Sequence, residues 1–521
     1  VAATATEAPV SLVKKLDEGR VRLTDELRNR LFRPLPADRW LSWALAIAIT
    51  VVGGVLRFAF LTRPRADDKA QIFDEIYYVH DSWSLLHHGY ELDNTDTVGA
   101  FVAHPPLGKW CIAVGEAIFG ENPFGWRFAA AVVGTLAILL LIRIARRMFR
   151  STLLGCVAGL LLALDGLELV QSRAALLDIF LMFFLLAGFG CLVLDRDRRR
   201  RTTLEALEAG QPSLRRLPGR TMATVPWWRF AAGVFTGLAL GVKWSAVYFI
   251  VAYVLLALFW EIGVRKSAGV RHPWRDAILD ETGWLAAFVG FTLLAYLATW
   301  TGWLVTDGGW DRDYFASQHN GDTLPPVINA LYNLGRYHFE MLNFHTHLDA
   351  PHTYQSWPWQ WLLLGRPVAY AYSSHGVCGG PDVKCSAETL ALGTPTIWWL
   401  FIPALIAVLW QWISKRDWRS AAAIAGVAAG IVPWFAFPDR TMFFFYALPA
   451  LPFLVLALTQ SLGLVLGDEQ ATRERRVTGA VLVGVYMVIV AVTFGYFWPI
   501  WTSEVIPYTQ WRARMWLDSW I

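Results

Sequence analysis

The chain has 521 residues, of which 55% are hydrophobic, 14% aromatic and only 17% charged, with 28 tryptophans. A soluble chain of this length divides into domains of about 100 to 200 residues, but apolar helices sharing one bilayer need no such division, so the composition predicts one integral membrane domain with decorated loops. The formal charge of +4 is small and dispersed, which excludes a nucleic-acid footprint and leaves the lipid bilayer as the first partner.

Residues 1–39 are polar and basic and lack the apolar core and cleavage site of a signal peptide, so this tail is expected in the cytoplasm. Within it, Asp25 to Phe32 reads either as a short amphipathic helix or as a solvated tail. Trp40 to Leu61 is long enough to cross about 30 Å of hydrocarbon. It delivers Arg63 and the adjacent acids Asp74 and Glu75 to the far side. The next apolar run, Leu107 to Phe119, is shorter than a span and is expected to lie at the interface. The positive-inside rule agrees. Phe124 to Ile142 ends in Arg143, Arg146, Arg147 and Arg150, and these are cytoplasmic only if 62–123 is a single external loop.

Under the same rule, Leu153 to Val170 goes out and Ala174 to Leu194 returns to a basic loop, Asp195 to Arg220, holding Arg198 to Arg201, Arg215, Arg216 and Arg220. Phe230 to Val242 and Ser245 to Trp260 form a hairpin with Lys243 at its external tip. Trp284 to Leu304 closes an N-terminal membrane module, 40–304, and opens a long external loop, 305–392. Thr394 to Ile413, Ala421 to Phe437, Met442 to Gly463 and Val477 to Trp498 make a C-terminal module, 393–498, followed by an external tail, 499–521. The expected fold is therefore all-α and integral to the membrane, with about eleven spans, the amino terminus inside and the carboxyl terminus outside. No internal repeat of the kind that marks two-halved transporters is visible.

Unusual charges collect at the external boundary: Asp74, Glu75, His104, Lys109, Arg127, Arg173, Asp178, Lys243 and Arg440. An ionisable group in the hydrocarbon costs roughly 2.5 to 3.5 kcal/mol near a helix centre, so such a gathering marks a functional cavity. Adjacent carboxylates repel, which raises one pKa toward the range of a general base, although adjacency alone does not choose between Asp74 and Glu75. Asp178 reads either as an ion-pair partner of Arg173, which is compatible with a role in the site, or as a site residue without that pair. Lys243 and Arg440 read as snorkelling cations or as ligands for a lipid phosphate at that depth. His345, His347 and His352 leave a divalent metal open as a cofactor without requiring one, since no cysteine or placed acid completes the set. Cys378 and Cys385 share the long loop, where oxidation would be permitted.

These motifs resemble the protein O-mannosyltransferases. The resemblance rests on Phe73-Asp74-Glu75, His104-Pro105-Pro106-Leu107-Gly108-Lys109, Arg127, Arg173 to Asp178 with Phe183-Phe184, and Gly241-Val242-Lys243-Trp244. It continues through His352 to Trp359, Arg366-Pro367-Val368 and Arg440 to Phe444. It implies a GT-C glycosyltransferase fold and transfer of mannose from polyprenyl phosphate mannose to Ser or Thr hydroxyls of secreted polypeptides. It further implies Asp74 as general base and Glu75 as a group that helps bind or orient the acceptor. Lys243, Arg440 and Arg127 would take the donor phosphate, with Asp178, Arg173, His104, Lys109 and His352 in support. The long loop is too short for the β-trefoil MIR domain of eukaryotic members, so the chain looks bacterial, and family precedent suggests coupling to the secretion translocon. Two other readings are a GT-C transferase with a lipid or glycan acceptor and a secondary transporter.

Overall fold

The computed structural model describes residues 25–64, 71–209, 224–380, 383–468 and 470–521. Among them, nine helices are long and apolar enough to cross a membrane: Arg39–Phe58, Pro123–Phe149, Asp178–Glu208, Ala246–Ser267, Pro273–Thr299, Pro395–Lys415, Trp418–Ala436, Phe444–Leu466 and Arg473–Trp501. Each overlaps an expected span.

The other two expected spans are shorter helices. Trp227–Leu240 has 14 residues, and Thr152–Ala163 has 12 and gives way to a second short helix, Gly166–Gln171. The interruption has a local cause. Asp165 leaves the helical conformation and caps the next helix, accepting from the Glu168 amide at 3.0 Å, while its other oxygen accepts from Trp398 Nε1 at 2.6 Å. Gly166 follows because any Cβ there would overlap the Trp501 ring.

The helix beginning at Asp178 does not stop at Leu194; it runs to Glu208 and carries Arg198 to Arg201 with it. Hydropathy marks these arginines as a loop, but several basic groups at this end meet acids from other helices. Arg229 Nη2 lies 3.0 Å from Asp195 and its Nη1 2.6 Å from Glu281; Arg199 reaches Glu261 at 3.2 Å, and Arg150 reaches Asp197 at 2.8 Å. Removing one partner from such a buried pair leaves the other charge uncompensated, so the network ties these helices together. Arg215, Arg216 and Arg220 lie outside the described residues. Asp25–Leu31 is helical, and Leu31 is buried among Leu207, Val264, Ala268 and Val270.

The segment 305–392 contains an amphipathic helix, Pro326–Thr346, and an antiparallel hairpin of β1 (Val368–Ser373) and β2 (Cys385–Ala391). Cys378 and Cys385 are disulfide-bonded within the connection that leads into β2. The final residues fold onto this hairpin: β3 (Ile506–Pro507) pairs with β2, Trp511 Nε1 donates to Glu388 at 2.6 Å, and Trp520 Nε1 donates to Leu364 O at 2.6 Å. Leu107–Phe119 is a 13-residue helix with Ile112 and Ala113 buried and Val114 and Ile118 exposed, the one-sided pattern expected of a helix at an interface.

Candidate active site

The helix Glu75–His88 begins immediately after a sharp turn. Phe73 sits at φ 49°, a left-handed conformation that costs a non-glycine residue about 1–3 kcal/mol. Its ring is held in an aromatic box, stacked on Tyr370 at 4.8 Å and edge-on to Phe443 and Phe445 at 5.7 and 5.8 Å. This packing offsets the strain and gives the two acids that follow different surroundings.

Glu75 is fully buried and fully engaged. Arg127 donates to it twice, from Nε at 2.8 Å and Nη2 at 2.7 Å, and the amides of Ile72 and Ala175 donate at 2.9 and 2.8 Å. Arg127 is equally occupied, since its Nη1 also donates to the carbonyls of Leu61 and Arg63. The two residues clamp the loop to the helix Pro123–Phe149. Glu75, expected to help bind or orient the acceptor, and Arg127, a candidate for the donor phosphate, are thus engaged with one another and with backbone groups, and neither lines the neighbouring cavity.

Asp74 differs. It is partly exposed, and among the described residues its carboxylate takes no hydrogen bond. Burial raises its pKa to about 6 against the pull of the Lys243 charge, with a further upward push from Asp178.

A cavity of about 240 Å3 lies beside these groups, lined on its polar parts by His104, Asp178, Lys243, His345, Arg440 and Tyr446. Leu181, Val247, Trp434 and Phe437 supply apolar lining. Asp74 is not among the lining residues, and it meets the cavity through its electrostatic coupling to Lys243 and Asp178. Lys243 Nζ lies 2.7 Å from Asp178 Oδ2 and 5.6 Å from the centre of the Tyr446 ring. Arg440 approaches His345 Nδ1 at 3.4 Å, while its Nη1 is buried and has no hydrogen-bond partner among the described residues, and the same holds for His104 Nδ1. A buried donor without a partner is costly, and an anion in the cavity would remove that cost.

His345 Nε2 lies 2.7 Å from the carbonyl of Ala103 and donates to it, which leaves Nδ1 as the acceptor facing Arg440. Burial and the Arg440 charge lower the pKa of His345 to about 4, so the ring is neutral. His104, 5.1 Å from it, is held well below the usual histidine range by burial and by Lys243.

Arg440 is positioned from outside its own turn. Ser356 N donates to Met442 O at 2.8 Å, Thr441 N to Leu348 O at 3.0 Å, and Trp357 Nε1 to Pro438 O at 3.0 Å.

The remaining basic groups and histidines are placed as follows. Arg173 does not pair with Asp178; it donates to the carbonyls of Arg57 and Phe60, both at 2.9 Å, and so caps the end of Arg39–Phe58. Lys109 is buried against Glu91 and donates to His104 O at 3.2 Å, which makes it a support for the His104 loop. His345, His347 and His352 do not assemble: His347 bonds to Asn343 O, His352 Nδ1 accepts from the Tyr354 amide, and no metal-holding cluster of three His, Cys, Asp or Glu occurs among the described residues. His352 instead joins the aromatic box, 5.0 Å from Phe443. Tyr446 went unnoticed in the sequence, although it ends the aromatic run that starts three residues after Arg440.

Residues 47–266 match the family described as dolichyl-phosphate-mannose-protein mannosyltransferase, and residues 330–520 match the C-terminal four TMM region of protein-O-mannosyltransferase. The polyprenol-phosphate-mannose--protein mannosyltransferases of Mycolicibacterium smegmatis (strain mc(2)155) and Mycobacterium tuberculosis (strain H37Rv) are 39% and 38% identical to this chain, covering 93% of it and 94% and 93% of their own lengths. The fold is shared with the S. cerevisiae protein O-mannosyltransferase Pmt1-Pmt2 complex bound to the sugar donor, at a TM-score of 0.69 and 15% identity over 96% of this chain and 94% of that one. ArnT from Cupriavidus metallidurans bound to undecaprenyl phosphate matches at 0.50 and 16%, over 89% and 71%. The chain belongs to the protein O-mannosyltransferase family of multi-pass membrane glycosyltransferases and has their GT-C fold.

Proposed function

We propose that the protein transfers mannose from polyprenyl phosphate mannose to Ser or Thr hydroxyls of polypeptides on the external face of the membrane, with inversion at the sugar. The observation that carries the mechanism is the contrast between the two adjacent acids. Glu75 is saturated by four donors, whereas Asp74 has none among the described residues and sits beside a cationic cavity with its pKa raised to about 6.

Asp74 accepts the hydroxyl proton as the acceptor oxygen attacks the anomeric carbon. The bond from that carbon to the phosphate oxygen breaks, and its electron pair leaves with the polyprenyl phosphate. Lys243 and Arg440 offset the charge that grows on the phosphate, so its oxygen needs no proton. Asp178 holds Lys243 in place, and Glu75 with Arg127 holds the Asp74 turn. A β-linked donor then gives an α-linked product. The Cys378–Cys385 disulfide supports an external position for the long loop, because such bonds persist in oxidising compartments. The secretion translocon would be the partner that presents hydroxyls before folding hides them.

Three measurements test this assignment. Lys243→Ala should raise the donor KM far more than the acceptor KM when lipid and peptide are titrated separately; an equal effect on both removes Lys243 from the phosphate site. Because the base must be ionised, kcat/KM should rise with pH through about 6 and level off above it. A rate independent of pH from 5 to 7.5 rules out Asp74 as the base. Separating the labelled products into peptide and lipid fractions also distinguishes the protein acceptor from a lipid one.

A further inference from the structure

The helix Pro326–Thr346 carries three stripes. Leu334, Tyr337 and Met341 are buried against Tyr296, Trp300 and Trp303 at the end of the span Pro273–Thr299. Asn329, Asn333, Arg336 and Glu340 form a polar stripe, with Arg336 and Glu340 ion-paired at 2.5 Å. The third stripe is apolar and uncovered. Val327, Ile328, Leu331, Phe339 and Leu342 are between 51% and 72% exposed, and at about 100° per residue they fall within roughly 120° of one another.

We propose that this helix lies in the surface of the bilayer with the Val327–Leu342 stripe against acyl chains, so that one wall of the cavity is seated in lipid. An exposed apolar face of this breadth has to be covered, and a helix with one apolar and one polar face typically sinks about 5–10 Å into the boundary between headgroups and chains. Two observations single out lipid as the cover. The buried stripe is fixed to the end of a membrane span that exposes the apolar side chains Leu293 and Leu294 within one turn of Tyr296, the residue the stripe packs against. Leu342 belongs both to that stripe and to the cavity lining, beside His345 and Thr346. The helix is also joined to the cavity wall by hydrogen bonds: Trp244 Nε1 donates to Tyr296 OH at 3.0 Å, and that hydroxyl lies 2.6 Å from His338 Nε2. Depth in the leaflet is thereby linked to the position of His345, the neighbour of Arg440.

The test uses the full chain in phosphatidylcholine vesicles. Ile328→Cys and Phe339→Cys would each be labelled with a fluorophore, with Asp322→Cys, exposed in the turn before the helix, as the reference and the unsubstituted protein as the blank. The expected result is loss of fluorescence at 328 and 339 on adding nitroxide-labelled phosphatidylcholine, with little loss on adding iodide, and the reverse at 322. Quenching of 328 and 339 by iodide alone would place the stripe in water and overturn the proposal. Shielding from both quenchers would show a second copy or another protein covering it and would overturn it equally. Neither readout uses sugar transfer, so the result is independent of the transferase reading.

Discussion

Asp74→Asn is expected to lower mannosyl transfer by about 10²–10⁴-fold, the usual contribution of a positioned general base. Asparagine keeps the shape of the side chain but cannot hold the departing proton. Among the described residues Asp74 takes no side-chain hydrogen bond, so the exchange breaks no ion pair and the protein should remain folded. Donor binding should change little, because the cations remain. The measurement is a rate with saturating donor and peptide, alongside thermal unfolding in detergent. Glu75→Gln provides the comparison. It removes the charge that Arg127 grips and should act first on stability. If Asp74→Asn left the rate intact while Glu75→Gln abolished it in a folded protein, the roles of the two acids would be exchanged.

The second large effect is on stability. Arg127→Ala should destabilise the protein by about 3–5 kcal/mol, the range for removing one partner of a buried ion pair. It strands the Glu75 carboxylate and leaves the carbonyls of Leu61 and Arg63 without their donor. A large fall in folded yield and midpoint is expected. Arg440→Ala should behave oppositely, since its guanidinium has a long contact to His345, lies 5.9 Å from the ring centres of Trp434 and Tyr446, and has no ion pair or partner for Nη1 among the described residues. It should leave the midpoint nearly unchanged and raise the donor KM. The pair of variants separates an arginine that holds the fold from one that meets the ligand.

Span positions were legible from hydropathy because continuous apolar runs have one physical use in this chain. What hydropathy misread were positions decided by distant partners. The arginines after Leu194 look like a loop, yet acids on neighbouring helices allow the helix to continue to Glu208. Leu153 to Val170 looks like one span, yet Asp165 finds Trp398 and interrupts it; the Asp165-Gly166 dipeptide was the available local signal. Within the site, sequence proximity suggested an Arg173–Asp178 pair. The fold gives Asp178 to Lys243 instead and Arg173 to the end of another helix. Likewise, nothing local distinguishes Asp74 from Glu75. The distinction comes from Arg127 and from the backbone of Ala175, brought in from elsewhere in the chain.

The most direct measurement is in vitro transfer with purified protein, synthetic β-linked polyprenyl phosphate mannose and a Ser/Thr/Pro-rich peptide, with the anomeric configuration of the product read by NMR. The expected result is a mannosylated Ser or Thr with an α linkage and release of polyprenyl phosphate. A β-linked product would contradict the single displacement, and mannose appearing on lipid but never on peptide would contradict the acceptor.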